Sequence, residues 1–181
     1  MYNKGLLSNS FIYEGMVNIK LKHNGKIYAL NTYNTGTKLL VDTIAKALSG
    51  TSVSENIPRY LDFVYGEKND EGSYKNKSSL LKSSIPFVGK VYGEMAKTSE
   101  IDENASCLLL SATISAADVH SVPNCLNPQL SMLDSSNNVL AFIDDKNKLL
   151  TTLYDSLKDG TDAIIEWRMI FSNKMEEVNN E

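Results

Sequence analysis

Residues 17–30 of the chain read VNIKLKHNGKIYAL, and this stretch decides the fold. Before the turn, apolar residues alternate with polar ones, which is the period-two pattern of a half-buried β-strand. Asn24-Gly25 then supplies two residues that adopt positive φ readily, as a two-residue hairpin turn requires. With this pair as the loop, the apolar residues of both strands share one face, and they pair as follows: Leu21 with Tyr28, and Ile19 with Leu30. The stretch therefore predicts an antiparallel hairpin.

The alternation returns near the carboxyl end, where residues 163–171 read AIIEWRMIF. A strand that is apolar on one face and half apolar on the other is typical of the centre of a sandwich, and it places Trp167 in the core. Other strand patterns are bounded by turn residues; they are Tyr60–Tyr65, Cys107–Ile114, and a hairpin at 130–143 around Ser135–Asn138. Leu80–Tyr92 is predicted to be a strand pair or a kinked strand, with Pro86 at an edge or a bend. We predict a mainly β fold, an antiparallel β-sandwich that is jelly-roll-like or a flattened barrel.

One amphipathic α-helix is predicted near residues 37–48. Its apolar residues fall at i, i+4, i+7 and i+8, namely Leu40, Ile44, Ala47 and Leu48. Thr35 or Thr37 can cap its start, and Gly50 suits a left-handed C-terminal cap. We expect this helix to plug the end of a sheet or to lie across it. Leu149–Tyr154 is predicted to be a further strand or a short turn of helix.

The predicted organisation has three parts: an N-terminal arm at residues 1–15, a single β-sandwich domain at 16–173 and a C-terminal tail at 174–181. Residues 1–10 of the arm are mostly polar and contain the Leu6-Leu7 pair, so we expect the arm to dock on a partner. Glu67–Ser79 is a predicted polar loop that also reaches neighbouring chains. The predicted interface residues in the arm and this loop are Leu6, Leu7, Phe11 and Tyr74.

Composition and charge restrict the function classes. The chain is 42% hydrophobic and 22% charged, as in ordinary folded domains. The formal net charge of −4 comes without a basic cluster, so no nucleic-acid partner is expected. No apolar run approaches the roughly 20 residues of a membrane span, so no membrane partner is expected. Cys107 and Cys125 are too few for a disulfide framework and are expected to be reduced thiols.

A search for chemistry gives no catalytic, cofactor-binding or metal-binding residues, and we expect a protein that is not an enzyme and uses no cofactor. One imaginable metal site has spacings that match no zinc pattern; its ligands would be Cys107, Asp118, His120 and Cys125. Asn34–Lys38 contains one glycine and fits a capped helix entry better than a phosphate loop. Asp62 and Asp144 leave a hydrolase as a remote alternative, although Asp144-Asp145 fits a solvated turn.

Three blocks of the sequence resemble the small β-sandwich virion proteins of tailed bacteriophages, which form neck, tail and head-appendage parts. Residues 34–50 (NTGTKLLVDTIAKALSG) are similar to their "Asn-x-Gly, then helix, ending Ala-Leu-x-Gly" entry. Leu108–Asp118 ends in their Thr-Ile-x-Ala-x-Asp motif, and residues 165–173 (IEWRMIFSN) are similar to their closing W-x-x-x-F strand. The departure lies at Gln129–Leu133, where that family often has Glu-Ile-Gly-Leu-Phe.

The resemblance implies a structural component of a phage particle: a neck or collar, tail or capsid-attached protein. Its partners would be copies of itself and other virion proteins, and its location the virion, assembled in the host cytoplasm. The alternative is a host- or carbohydrate-binding module on the particle surface. Exposed tyrosines stack well on sugars, so Tyr60, Tyr65 and Tyr74 would then contact a host-surface glycan.

Overall fold

The computed structural model describes residues 8–23, 26–92 and 106–176 of the chain, and within them two antiparallel sheets pack against each other. The strands of the first half are β1 (Ser8–His23), β2 (Lys26–Tyr33), β3 (Thr35–Gly36), β4 (Tyr60–Lys68), β5 (Tyr74–Ser79) and β6 (Ile85–Pro86). The strands that follow are β7 (Val88–Tyr92), β8 (Ser106–Ile114), β9 (Gln129–Leu133), β10 (Val139–Asp144) and β11 (Asp162–Glu176). The helices are α1 (Lys38–Leu48) and α2 (Leu149–Lys158). The predicted mainly β sandwich with a helix near residues 37–48 is confirmed.

The chain places successive hairpins in alternate sheets. One sheet has the strand order β2-β1-β11-β8-β7, and the other has the order β3-β10-β9-β4-β5, with β6 also pairing with β4. Hairpins β1–β2 and β7–β8 therefore belong to the first sheet, and hairpins β4–β5 and β9–β10 to the second. Strand β11 closes the first sheet between β1 and β8. This alternation builds each sheet from distant parts of the chain.

The hairpin predicted from residues 17–30 is confirmed with its register. Ile19 pairs with Leu30 and Leu21 pairs with Tyr28. The second predicted hairpin, β9–β10, is also confirmed, with a register shift between Val139 and Ala141.

Paired strands occupy part of the predicted arm and tail. Strand β1 begins at Ser8 and β11 continues to Glu176, and these two residues pair with each other. Sequence analysis missed this pairing, because partners so far apart in the chain leave no local signal. The division into an arm at 1–15, a domain at 16–173 and a tail at 174–181 stays a prediction. Residues 1–7 and 177–181 lie outside the described part of the chain.

Helix α1 begins where Thr37 caps it: the Thr37 hydroxyl oxygen accepts a hydrogen bond from Leu40 N, at 3.4 Å. Gly50 follows the helix with φ of +78°, as predicted, because glycine adopts this conformation without a Cβ clash. Leu40 is buried, whereas Ala47 is exposed. The buried face of α1 is therefore narrower than the apolar face predicted from the spacing of its residues.

A second helix, α2, occupies the segment that was predicted to be a strand or a short helical turn. Its buried residues recur at i, i+3, i+4 and i+7; they are Leu150, Leu153, Tyr154 and Leu157. Asp145 accepts hydrogen bonds from the backbone N–H of Leu150 at 2.7 Å and of Thr151 at 3.1 Å. In the run at 144–148, Asp144 thus ends β10, Asp145 stabilises the first turn of α2, and residues 146–148 are exposed, as a solvated turn would be.

The core lies between the two sheets and beneath α2. Trp167 of β11 is fully buried, as predicted, and the ring of Phe87 meets it edge-on with the centroids 6.4 Å apart. Residues on the facing sheet complete this layer and are also fully buried; among them are Leu61, Phe63, Leu130, Met132 and Leu140. The loop predicted at Glu67–Ser79 is partly wrong, because its second half forms β5.

Candidate functional site

The clearest candidate site is the outer edge of β2, the last strand of the five-stranded sheet. One side of β2 pairs with β1, and no described strand pairs with its other side. Large apolar side chains along this strand are exposed: Ile27 by 67%, Tyr28 by 52% and Tyr33 by 64%. An exposed apolar edge strand is a template for pairing with another chain, because its backbone donors and acceptors are open.

The register fixes which backbone groups face the open side. Asn34 N donates to Gly15 O, at 2.9 Å, which continues the β1–β2 pairing. Since alternate residues of a strand bond to the same neighbour, the even-numbered residues of β2 bond toward β1. The odd-numbered residues therefore direct their N–H and C=O groups to the open edge, and all four have exposed side chains: Ile27, Ala29, Asn31 and Tyr33.

The other sheet edges have features that discourage pairing. Strand β5 carries Lys75 and Lys77, both exposed, and exposed lysines oppose edge-to-edge contact. Strand β3 has only two residues. Strand β7 has five residues and includes Lys90, although its Val88 is 69% exposed. Strand β2 has eight residues, contains no proline, and its only charged residue is Lys26 at its start.

A pocket of about 440 Å³ lies beside β2. Its lining includes Leu21, Tyr28 and Leu30 from the sheet, and Ser156 and Asp159 from the end of α2 and the turn after it. The pocket extends the apolar surface of β2 toward α2. Its lining offers apolar contact and hydroxyl groups, and we assign it no chemistry of its own.

Tyr74, a predicted interface residue, is half-buried within the molecule. Its hydroxyl donates a hydrogen bond to the carbonyl of Asn127, and the Lys68 ammonium lies 4.9 Å from the centre of its ring. Burial, followed by the negative charges of Asp144 and Cys125, raises the pKa of the Tyr74 phenol above its usual value. These contacts attach β5 to the loop before β9. An interface role for Tyr74 stays a prediction.

The other predicted interface residues lie at the N-terminal end. Leu6 and Leu7 fall outside the described residues. Phe11 lies in β1, opposite Asn173 of β11. Its role at an interface is also still a prediction.

The acidic side chains considered for catalysis stabilise local structure. Asp62 accepts a hydrogen bond from the Ser79 hydroxyl at 2.6 Å, between β4 and β5. Asp144 forms an ion pair with Lys68 at 2.7 Å and accepts a hydrogen bond from Gln129 at 2.9 Å. Each of these two carboxylates therefore joins two neighbouring parts of the six-stranded sheet.

Asp134 is a buried carboxylate that sequence reasoning missed. It lies in the β9–β10 turn and accepts bonds from Ser136 N at 2.8 Å, Asn138 N at 2.9 Å, Asn138 Nδ2 at 2.9 Å and Asn56 Nδ2 at 3.2 Å. Burial would raise its pKa, but these hydrogen bonds outweigh burial and lower the pKa below the usual aspartate value. An aspartate followed by Ser-Ser-Asn-Asn is a turn signal that could have found it.

Cys107 and Cys125 are not joined by a disulfide bond. Burial raises the pKa of the Cys107 thiol, although Arg168 opposes the shift. Burial, with Asp145 and Asp155, raises the pKa of Cys125 to about 11. Thiols with raised pKa values are poor nucleophiles and poor ligands at neutral pH.

Across residues 8–23, 26–92 and 106–176, no three His, Cys, Asp or Glu side chains gather as a metal site would require.

Among the described residues, no helix has the length and apolarity needed to cross a membrane. Comparison with known proteins finds no match to any family model, any curated protein or any solved structure. The candidate site therefore rests on the geometry of the sheet edges.

Proposed function

We propose that this chain is a non-enzymatic structural component of a bacteriophage particle, in the neck or collar, in the tail or attached to the capsid. It acts through protein–protein contacts in the virion, which is assembled in the host cytoplasm. The open edge of β2 is the observation that carries this proposal. A stable monomer gains nothing from an edge strand that exposes Ile27 and Tyr33 and has a single charged residue, whereas a subunit of an assembly gains a docking strand.

The location within a phage particle rests on the three sequence blocks that resemble tailed-phage virion proteins. Two of them occupy defined elements: residues 34–50 form β3 and α1, and residues 165–173 lie in β11. The Leu108–Asp118 block covers most of β8 and the turn after it. These elements build the sandwich itself, as expected for a rigid subunit.

The glycan-binding alternative has less support. Sugar platforms need an exposed aromatic face, but Tyr60, Tyr65 and Tyr74 are all half-buried. Tyr65 packs against the core, and Tyr74 lies beneath the Lys68 ammonium.

Particle purification tests the proposed function. Phage particles released from a host that expresses the chain should be purified on a density gradient and digested for quantitative peptide mass spectrometry. The proposal predicts peptides of this chain at a fixed number of copies per particle. Their absence from purified particles, with the chain present in the cell lysate, would contradict it.

A comparison of two variants then tests whether the β2 edge makes the contact. Ile27→Lys adds a charge to the open edge, and Asn76→Lys adds the same charge to exposed β5, which already carries lysines. We expect Ile27→Lys to lower the number of copies per particle at least several-fold, and Asn76→Lys to leave it unchanged. Equal incorporation of both variants would exclude the β2 edge as the contact.

A further inference from the structure

We infer that two copies of this chain pair through β2, antiparallel, with Leu30 of each copy on a two-fold axis. The two five-stranded sheets then form one continuous sheet across the axis. This inference rests on the proposed function, because it names the partner of the same β2 edge as a second copy. It goes further by specifying the register of the pairing.

The backbone of β2 presents the donors and acceptors that this contact needs. Four residues per copy direct their N–H and C=O groups to the open edge, as shown above. With Leu30 on the axis, Ile27 lies opposite Tyr33 of the partner subunit, and Ala29 lies opposite Asn31 of the partner subunit. These four pairs, each exchanging two bonds, give about eight inter-subunit hydrogen bonds.

Other registers use less of the strand. Opposite residues must point to the same face of a continuous sheet, so odd-numbered residues must pair with odd-numbered ones. An axis at Ala29 would place Tyr33 opposite position 25, beyond the start of β2, and an axis at Asn31 would place Ile27 opposite Thr35, beyond its end. The axis at Leu30 is the one that engages all four edge residues within the strand.

The side chains that meet in this register are complementary. Ile27 and Tyr33, which are 67% and 64% exposed, meet twice across the outer face. Aromatic and β-branched residues form favourable cross-strand pairs. On the inner face, the half-buried Leu30 meets Leu30 of the partner subunit in a non-hydrogen-bonded pair, where side chains approach most closely.

The charge of the edge also permits a second copy. Lys26 is the only charged residue of β2. The Leu30 axis places it opposite Asn34 of the partner subunit, and the two Lys26 residues then lie eight positions apart along the strands. At about 3.4 Å per residue this is roughly 27 Å, well beyond the screening length at physiological salt. A pairing of β2 with β5 would instead face Lys75 and Lys77.

The strength of the contact follows from its size. The proposed pairing consists of about eight hydrogen bonds and a few cross-strand side-chain contacts. The pocket beside β2 adds apolar surface next to the pairing strands, but the isolated dimer should still be concentration-dependent. In a particle with many copies, such contacts act together.

Sedimentation velocity of the purified chain over a concentration series, with variants, tests the pairing. Wild type should shift from monomer to dimer as concentration rises. Ile27→Lys should weaken dimerisation about tenfold or more, because the two-fold axis repeats each lost contact. Asn76→Lys should dimerise as wild type does. Circular dichroism melts verify that both variants remain folded.

A mixing experiment tests the register. Ala29→Cys and Asn31→Cys are made separately in a Cys125→Ser background and oxidised alone or as an equimolar mixture. Opposed residues in a hydrogen-bonded pair lie about 5.5 Å apart between Cα atoms, within disulfide range. The mixture should form disulfide-linked dimers several-fold faster than either variant alone.

Three outcomes would overturn the inference: a monomer at the highest attainable concentration, a dimer unaffected by Ile27→Lys, or faster linkage of Ala29→Cys with itself. Each is distinguishable from failure of the proposed function, which is judged by copies per particle. A chain found in particles but monomeric in solution would keep the phage role and assign β2 to another virion protein.

Discussion

Strands β2 and β5 are both outer strands, one in each sheet of the sandwich, and they expose side chains of opposite character. Strand β5 reads YKNKSS and exposes two lysines, whereas β2 reads KIYALNTY and exposes isoleucine and tyrosines. Desolvating lysine at an edge is unfavourable, while burying apolar surface contributes about 25 cal/mol per Å². The difference indicates that one edge is kept free of neighbours and the other is available to them.

The largest expected effect concerns the core that both edges share. Replacing Trp167 by Ala should lower the free energy of unfolding by about 3–5 kcal/mol, because it empties a fully buried site beside Phe87. Urea denaturation followed by circular dichroism measures the loss. The matched control is Thr113→Ala, an exposed position on β8 that should change stability by less than about 0.5 kcal/mol. Equal stabilities of the two variants would contradict the shared core.

Low pH should affect the stability of the fold and the pairing of β2 differently. The lowered pKa of Asp134 means that this carboxylate stabilises the fold above the unfolded value of about 3.9. Its contribution is lost as pH falls through the depressed folded pKa. We therefore expect unfolding free energy to decline below about pH 4. The pairing of β2, which uses backbone and apolar contacts, should not follow this decline while the chain remains folded.

Asp134→Ala should cost about 1–3 kcal/mol at neutral pH, because four donors from Ser136, Asn138 and Asn56 lose their acceptor. Asp134→Asn, which keeps the shape without the charge, should remove this residue's part of the acid dependence. Urea denaturation at several pH values measures both effects. An unchanged acid slope in Asp134→Asn would show that other carboxylates cause the decline.

A smaller effect is expected where β3 covers the edge of β10. The Thr37 hydroxyl lies 2.9 Å from the carbonyl oxygens of both Val139 and Leu140, and it caps α1. Thr37→Ala should therefore cost about 1 kcal/mol in thermal or urea unfolding. Thr35→Ala, at an exposed position of β3, is the control and should cost less. The dimerisation constant of the β2 pairing should be the same in both variants. A change of this constant in either variant would show that the β3 edge and the β2 edge are coupled.

The smallest effect per contact is expected when the charged residues at the β5 edge are replaced by apolar ones. Replacing both Lys75 and Lys77 by Ile removes its charges and adds cross-strand pairs worth about 0.2–1 kcal/mol each. Sedimentation velocity should then show species larger than dimers, because each subunit has two open edges. The control replaces both lysines by Thr, which removes charge without adding large apolar groups. If the Ile variant stays dimeric, lysines are not what protects β5.

The sequence predicted those elements whose signals are local. The Asn24-Gly25 turn specified the β1–β2 hairpin and its register, and the alternation at residues 163–171 placed Trp167 in the core. Thr37 and Gly50 marked the ends of α1. In each case the decisive contacts involve residues near one another in the chain or a clear apolar period, so pattern and structure agree.

What the sequence could not supply depends on distant partners. Nothing near Ser8 indicates that it pairs with Glu176, so the strand pairing of residues 8–15 and 174–176 was missed. The candidate site was missed for the same reason. Residues 26–30 were predicted to lie in a strand of the hairpin, but only the sheet order shows that β1 has its second neighbour in β11 and leaves β2 at the edge.

Hydrogen–deuterium exchange at two protein concentrations tests the account most directly. The amides of Ile27, Ala29, Asn31 and Tyr33 point away from β1, so they should exchange quickly when the chain is dilute and become protected when it is concentrated. Amides of β5 should exchange at the same rate in both conditions. Protection of β2 that is independent of concentration, or a gain of protection in β5 instead, would contradict the open β2 edge as the site of assembly.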